Sequence, residues 1–214
     1  MIEILSHRGL WRKPEEKNSL ESLALAFAGG FGVETDVRDS AGRLVISHDP
    51  PVGGELGFGD FLSTYVKSGS SSTLAINVKS DGIQQLLASA LVEWNIERYF
   101  VFDMSYPELT RYRAVGMPYY ARLSDEEPEI LGLAHARGVW VDGFGKDWAD
   151  FITLEKLIDS GVAIALVSPE LHKRDKTSFW TQVRSWIGGL PLSAQGRVML
   201  CTDHPDEALK YFHE

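Results

Sequence analysis

The 214-residue sequence contains a single cysteine, Cys201, which excludes an intramolecular disulfide and any cysteine-based zinc site. No apolar run approaches the roughly 20 residues needed to cross a bilayer, and the opening Met1-Ile2-Glu3-Ile4-Leu5 lacks the basic and apolar parts of a secretory signal. The expectation is a cytoplasmic protein without membrane insertion, its mature chain starting at Met1. Basic residues are also scarce. Lys and Arg number 21 against 30 Asp and Glu, the formal net charge is -9, and the cations are scattered singly, which leaves no basic face for a nucleic-acid backbone. A small anion is still an acceptable ligand, because a metal and a few placed cations can reverse the field inside a pocket.

What the sequence does have is an alternation of strand-length apolar runs with segments of helical period, the pattern of parallel strands joined by crossover helices. The runs begin near Ile2–Ser6, Gly32–Val37, Leu74–Lys79 and Tyr99–Asp103, and continue at Pro118–Arg122, Gly138–Asp142, Val162–Val167 and Arg197–Thr202. Several are apolar nearly throughout, as doubly covered strands are. Helix starts are expected at Asn18 with Glu21, Ser105 with Glu108 and Ser124 with Glu127, each a polar side chain followed three residues later by Glu. Eight strand–helix units predict an α/β fold, a (β/α)8 TIM barrel forming one domain over residues 1–214, with one helix missing or irregular at this length. An open doubly wound sheet is the alternative. The serine run Ser68–Ser72 and the glycine-rich stretch Gly53, Gly54, Gly57 and Gly59 read as loops, the second as a flexible connection or a lid. Gly29-Gly30-Phe31-Gly32 precedes a strand instead of opening a helix, so it is no nucleotide loop. Trp140 reads as core, Trp180 and Trp186 as packing of an outer helix, and Phe61, Leu62 and Tyr65 as a helix anchor or an apolar wall.

In a parallel barrel the reacting groups stand at the C-terminal ends of the strands. His7 and Arg8 follow the first strand, and Glu34 and Asp36 end the second at a spacing that turns both carboxylates to one face. Asn77 and Lys79 end the third with the same spacing, and His48 follows the short apolar run Leu44–Ile46. Two inward carboxylates repel unless protonated, paired with cations or bound to a metal. Carboxylate and amide oxygens suit a hard divalent ion, Ca²⁺ or Mg²⁺; a structural ion pair of Glu34 with Arg8 or Lys79 is the competing explanation. Two histidines on one rim can divide proton transfer, one accepting from an attacking oxygen and the other donating to a leaving alkoxide. Arg122 and Asp142 end later strands, as substrate contacts or as rim ion pairs. His135, His172, His204 and His213 lie on expected helices or loops and are ordinary histidines on this reading.

His7-Arg8-Gly9, Asn18-Ser19-Leu20-Glu21, Glu34-Thr35-Asp36-Val37, His48-Asp49 and Thr202-Asp203-His204-Pro205-Asp206, taken in order, resemble the glycerophosphodiester phosphodiesterase family of the phosphatidylinositol phospholipase C-like barrels. The resemblance is close over the first 50 residues, loose at the third strand and present again over the last 15. It implies a phosphoric diester hydrolase of lipid metabolism that cleaves a small phosphodiester. His7 and His48 would be its acid and base, Arg8 and Lys79 its phosphate contacts, and Glu34 and Asp36 its metal ligands, with Asn77 standing where the family has a third. Arg122 is a further candidate contact. The attacking group would be a substrate hydroxyl or water.

Three departures from the family stand out. Asn77 occupies a position that is usually Glu, so the metal would lose one negative ligand and bind more weakly or prefer another ion. Lys17 stands where an acid is usual. The stretch between His48 and the third strand is too short for the small domain that glycerol-selective members insert there. Two other readings follow from these departures: a degenerate barrel that binds a phosphorylated ligand without turnover, and a metal-independent phospholipase C-like lyase with Lys17 or Lys79 in place of the ion.

Overall fold

The computed structural model describes residues 1–146 and 150–214. They form two compact units, Ser6–Tyr119 and Met1–Leu5 with Tyr120–Glu214. The first strand, β1 (Glu3–His7), begins in the second of these and ends in the first.

Within Ser6–Tyr119, helix α1 (Leu20–Ala28) leads to β2 (Gly32–Ser40), which turns through Ala41 and Gly42, both at positive φ, into the antiparallel β3 (Arg43–Ile46). A short β4 (Leu56–Gly57) pairs with β3, and α2 (Phe58–Ser68) follows. Next come β5 (Leu74–Val78), α3 (Gln84–Glu93), β6 (Tyr99–Phe102) and α4 (Tyr106–Ala114). Strands β2, β5 and β6 are parallel neighbours, and their register sets Asp36 beside Asn77. Every residue of β5 and the first six of β2 are buried, as strands covered on both faces should be. Phe27 of α1 packs against Phe61 and Tyr65 of α2, ring centroids 5.9 and 5.2 Å apart. Phe61, Leu62 and Tyr65 are buried, so this cluster anchors the helix and forms no open wall.

In the other unit, β7 (Tyr120–Ser124), β8 (Gly138–Asp142), α5 (Phe151–Asp159), β9 (Ala163–Val167), α6 (Thr177–Gly189), α7 (Leu192–Gln195), β10 (Val198–Thr202) and α8 (Pro205–His213) follow in turn. Strands β7 to β10 are parallel and in sequential order. Gly138 is required here, because an added Cβ would lie 2.4 Å from Cζ of Tyr120. Trp140 and Trp180 are buried, while Trp186 stacks on Phe151 at 5.1 Å.

Several local expectations are corrected. Ser19, not Asn18, caps α1: its hydroxyl accepts Ser22 N–H at 3.1 Å, while Asn18 sits at φ 60 with its side chain on β2. Ser105 precedes α4 without a side-chain cap bond, and Glu108 instead accepts Gly82 N–H at 2.9 Å. Ser124 starts no helix. Its hydroxyl accepts the N–H groups of Glu126 and Glu127, Pro128 follows, and the described connection to β8 holds only the 3-10 turn Leu133–His135. This is the irregular unit that the chain length implies. The glycine-rich stretch contains β4, and Glu55 Oε1 accepts Val52 and Gly53 N–H at 2.5 and 2.8 Å. The serine run is also tied down, with Ser70 N–H on Ser68 Oγ at 3.2 Å and Tyr65 OH on Ser72 O at 2.9 Å.

Candidate active site

The residues expected to carry chemistry lie in the Ser6–Tyr119 unit, apart from Arg122 and Asp142. The site grows from the end of β1. His7 is nine-tenths buried and Arg8 adopts φ 60, a left-handed conformation that a non-glycine residue holds only when its surroundings enforce it. Two backbone bonds do so: Arg8 N–H donates to Glu34 O at 2.8 Å, and Asn18 N–H donates to Arg8 O at 2.9 Å. Gly9 then has φ 92 and passes so close to α1 that a Cβ would sit 2.6 Å from Ser22 Oγ. The run His7-Arg8-Gly9 is therefore a turn that aims two side chains inward and needs glycine at its third place. Trp11 pins it further by donating Nε1–H to His7 O at 2.9 Å.

Glu34 and Asp36 project from β2 and are 2% and 0% exposed. Asp36 Oδ2 lies 2.7 Å from Arg8 Nε, too poorly aligned for a hydrogen bond, and accepts Asn18 Nδ2–H at 3.0 Å. Its Oδ1 is 3.8 Å from Lys79 Nζ. Lys79 also pairs with Asp103 Oδ2 at 3.0 Å. Glu34 Oε1 accepts Asn77 Nδ2–H at 3.2 Å, and its Oε2 is 3.8 Å from His7 Nε2. Burial first, and the charge of Asp36 second, push the Glu34 carboxyl above its usual range, against the smaller pull of His7, Arg8 and Lys79. The structure thus joins His7, Arg8, Glu34, Asp36, Asn77 and Lys79 in one buried network, and the expected ion pairing falls on Asp36.

Among the described residues no three His, Cys, Asp or Glu side chains form a metal cluster. The donor set is two carboxylates and one amide. Glu34 Oε2, Asp36 Oδ1 and Asn77 Oδ1 are all buried without a hydrogen-bond partner among the described residues, and unsatisfied buried oxygens of this kind cost about 1–3 kcal/mol each unless another group meets them. Three hard oxygens left in that condition fit a Ca²⁺- or Mg²⁺-type ion.

His48 is half exposed, with Nδ1 2.9 Å from Asp49 Oδ1. Arg38 Nε–H donates to the His48 carbonyl at 3.0 Å. An open cleft of about 610 Å³ has His48, Arg8, Lys17, Asn18 and Leu56 among its walls. His48 and Arg8 therefore share one space, and Lys17 stands on it with its ammonium 4.3 Å from the Trp11 ring centroid. Arg122 lies in the other unit, its Nη2 2.8 Å from Glu127 Oε1.

The structure gives some residues partners that the sequence did not assign to them. Asp103 directly follows β6 at φ 71, and the rule of strand ends would have found it. Thr35 and Asn18, bonded at 2.8 Å, stand in two of the motifs, but nothing in the sequence pairs them. Asp142 Oδ1 and His172 Nε2 approach to 2.7 Å, with the Phe144 ring 5.1 Å from the imidazole. The bond to Asp142 is the main reason that His172 is held above its ordinary pKa.

No protein-family model matches the sequence, and no curated protein does. Solved structures do match over the whole chain. A protein provisionally named a glycerophosphodiester phosphodiesterase from Galdieria sulphuraria superposes with a TM-score of 0.78 at 15% identity, covering 100% of this chain and 98% of that one. A glycerophosphodiester phosphodiesterase from Agrobacterium tumefaciens gives 0.70 at 16% identity, with 100% of both chains covered. A phosphodiesterase from Oleispira antarctica, in complex with the product sn-glycerol-3-phosphate, gives 0.69 at 16%, covering 99% and 97%. The likeness shows the fold, the (β/α)8 barrel that the strand and helix alternation implies.

Proposed function

We propose that the protein is a phosphoric diester hydrolase that cleaves a small glycerophosphodiester or a related diester. The observation that supports this reading is the buried network around Asp36: a guanidinium and an ammonium converge on its carboxylate, and three oxygens, one of them its own, have no hydrogen-bond partner among the described residues. Fold alone decides no chemistry, but this is the arrangement that a phosphoryl group needs. Arg8 and Lys79 neutralise its non-bridging oxygens, and their charge counts for more in a buried site than in water.

His48 and His7 divide the proton transfers. Asp49 at Nδ1 of His48 favours the tautomer with hydrogen on that nitrogen, which leaves Nε2 to accept. The attacking O–H of water or of a substrate hydroxyl gives its proton to His48 Nε2 as the new O–P bond forms. The bond from phosphorus to the leaving alcohol breaks, and His7 supplies the proton that the departing oxygen takes up. Glu34 Oε2 lies 3.8 Å from His7 Nε2 and faces the ring from β2. Glu34, Asp36 and Asn77 would hold a divalent ion, Ca²⁺ or Mg²⁺, which when bound adds Lewis-acid stabilisation of phosphoryl charge.

A second reading has its own observation. Lys79 already stands 3.8 Å from Asp36 Oδ1, so a cation is present where the ion would act, as a metal-independent lyase requires. A panel of glycerophosphodiesters and chromogenic diesters, assayed with and without chelator and followed by phosphorus NMR, separates the two. Hydrolysis to a phosphate monoester that stops in chelator supports the first reading. Full activity in chelator supports the second, and no turnover of any diester under either condition leaves a binding protein.

A further inference from the structure

Asn18 belongs to no role assigned so far, yet both ends of its side chain are committed. Its Oδ1 accepts the Thr35 hydroxyl at 2.8 Å and its Nδ2 donates to Asp36 Oδ2 at 3.0 Å. Thr35 and Asp36 are adjacent on β2 and are both fully buried. An amide can be turned end for end at little cost in shape, so its orientation is set by its partners. Turning it here would set a carbonyl oxygen against the Asp36 carboxylate. The Asp36 carboxylate, which only accepts, excludes that arrangement, and the Thr35 hydroxyl holds the other end by donating to Oδ1.

The backbone adds a second constraint. Asn18 sits at φ 60 and donates its N–H to the carbonyl of Arg8, itself at φ 60. Asn18 therefore ties the segment that carries Arg8 to the strand that carries Asp36, and its side chain meets the same Asp36 oxygen that Arg8 Nε approaches at 2.7 Å. Oδ2 thus has a hydrogen bond from Asn18 and an ion-pair contact with Arg8, and Oδ1 is the oxygen left without a hydrogen-bond partner among the described residues.

We propose that Asn18 is a positioning residue, locked by the Thr35 hydroxyl, that decides which oxygen of Asp36 is presented to the reacting group. This rests on the phosphodiesterase reading of the site. The group touches no substrate in this role; it acts through Asp36, so its loss lowers turnover more than substrate binding.

The test compares Thr35→Ser, Thr35→Val and Asn18→Asp by kcat and KM on a cleaved diester, and by NMR hydrogen exchange of the Asn18 side-chain NH₂. A packing role and a positioning role make opposite predictions at Thr35, because Val keeps the shape and loses the hydroxyl while Ser does the reverse. The expected result is kcat within about threefold of wild type for Thr35→Ser, a fall of about tenfold for Thr35→Val and about a hundredfold for Asn18→Asp, with KM little changed. The Asn18 NH₂ protons should exchange slowly in wild type and Thr35→Ser and about ten times faster in Thr35→Val. Thr35→Val as active as wild type, or Thr35→Ser the more damaged of the two, overturns the proposal. A wild type that cleaves no diester removes the reading of the site itself; equal NH₂ exchange in the three Asn18-containing proteins then removes the Asn18 lock as well.

Discussion

Asn77 donates its side-chain N–H to Glu34 Oε1 at 3.2 Å, so the amide of one strand holds the carboxylate of its neighbour and leaves its own oxygen toward the site. An acid at position 77 would lose that donor and bring a third negative charge. Asn77→Asp should therefore raise the affinity for Ca²⁺ about tenfold, equivalent to about 1.4 kcal/mol, as read by calorimetry. Identical affinity in both proteins would place Asn77 outside the ion's shell.

The Asp142–His172 pair gives a pH dependence. The folded pKa of His172 is raised, chiefly by its hydrogen bond to Asp142, so the stabilisation is complete below the unfolded value of 6.5 and is lost as pH rises through the higher folded value. Asp142→Asn keeps an oxygen for Gly143 N–H, which donates to Asp142 Oδ1 at 2.7 Å, and loses the charge. The variant should melt lower than wild type at pH 5.5–6 by roughly 2–6 °C, the scale of about 1–2 kcal/mol in a chain of this size. The gap should close toward pH 8. A gap independent of pH would mean that the pair contributes no charge-dependent stability.

Gly9 can be tested for stability alone. An added methyl group meets Ser22 Oγ at 2.6 Å and the Ser22 carbonyl carbon at 2.7 Å, at a φ of 92. Gly9→Ala should destabilise by at least about 2–3 kcal/mol, combining overpacking with left-handed strain. Denaturant unfolding within about 0.5 kcal/mol of wild type, the scale of a neutral surface change, would contradict the close passage over α1.

How much of this could be seen in the chain itself depends on how local the cause is. β2 and β5 announce themselves because strands buried on both faces must be apolar except where chemistry intrudes, so Glu34, Asp36, Asn77 and Lys79 stand out as polar side chains in apolar runs. The cap of α1 was misplaced by one residue because Asn18 and Ser19 are both good caps, and only the long-range bonds from Asn18 to Thr35 and Asp36 decide between them. β4 was hidden in a glycine-rich stretch, since its two residues acquire their structure from pairing with β3 and not from their own propensity. His172 gave no sign of its partner, which lies 30 residues earlier on another strand end.

The central claim is that His7 and His48 perform the proton transfers at a phosphodiester site. It is tested most directly by kcat/KM for a chromogenic phosphodiester in wild type, His7→Ala and His48→Ala, with circular dichroism confirming that each variant is folded. Each substitution should lower kcat/KM by at least about a hundredfold, the usual scale for a lost general acid or base. Turnover close to that of wild type in either folded variant would contradict the account.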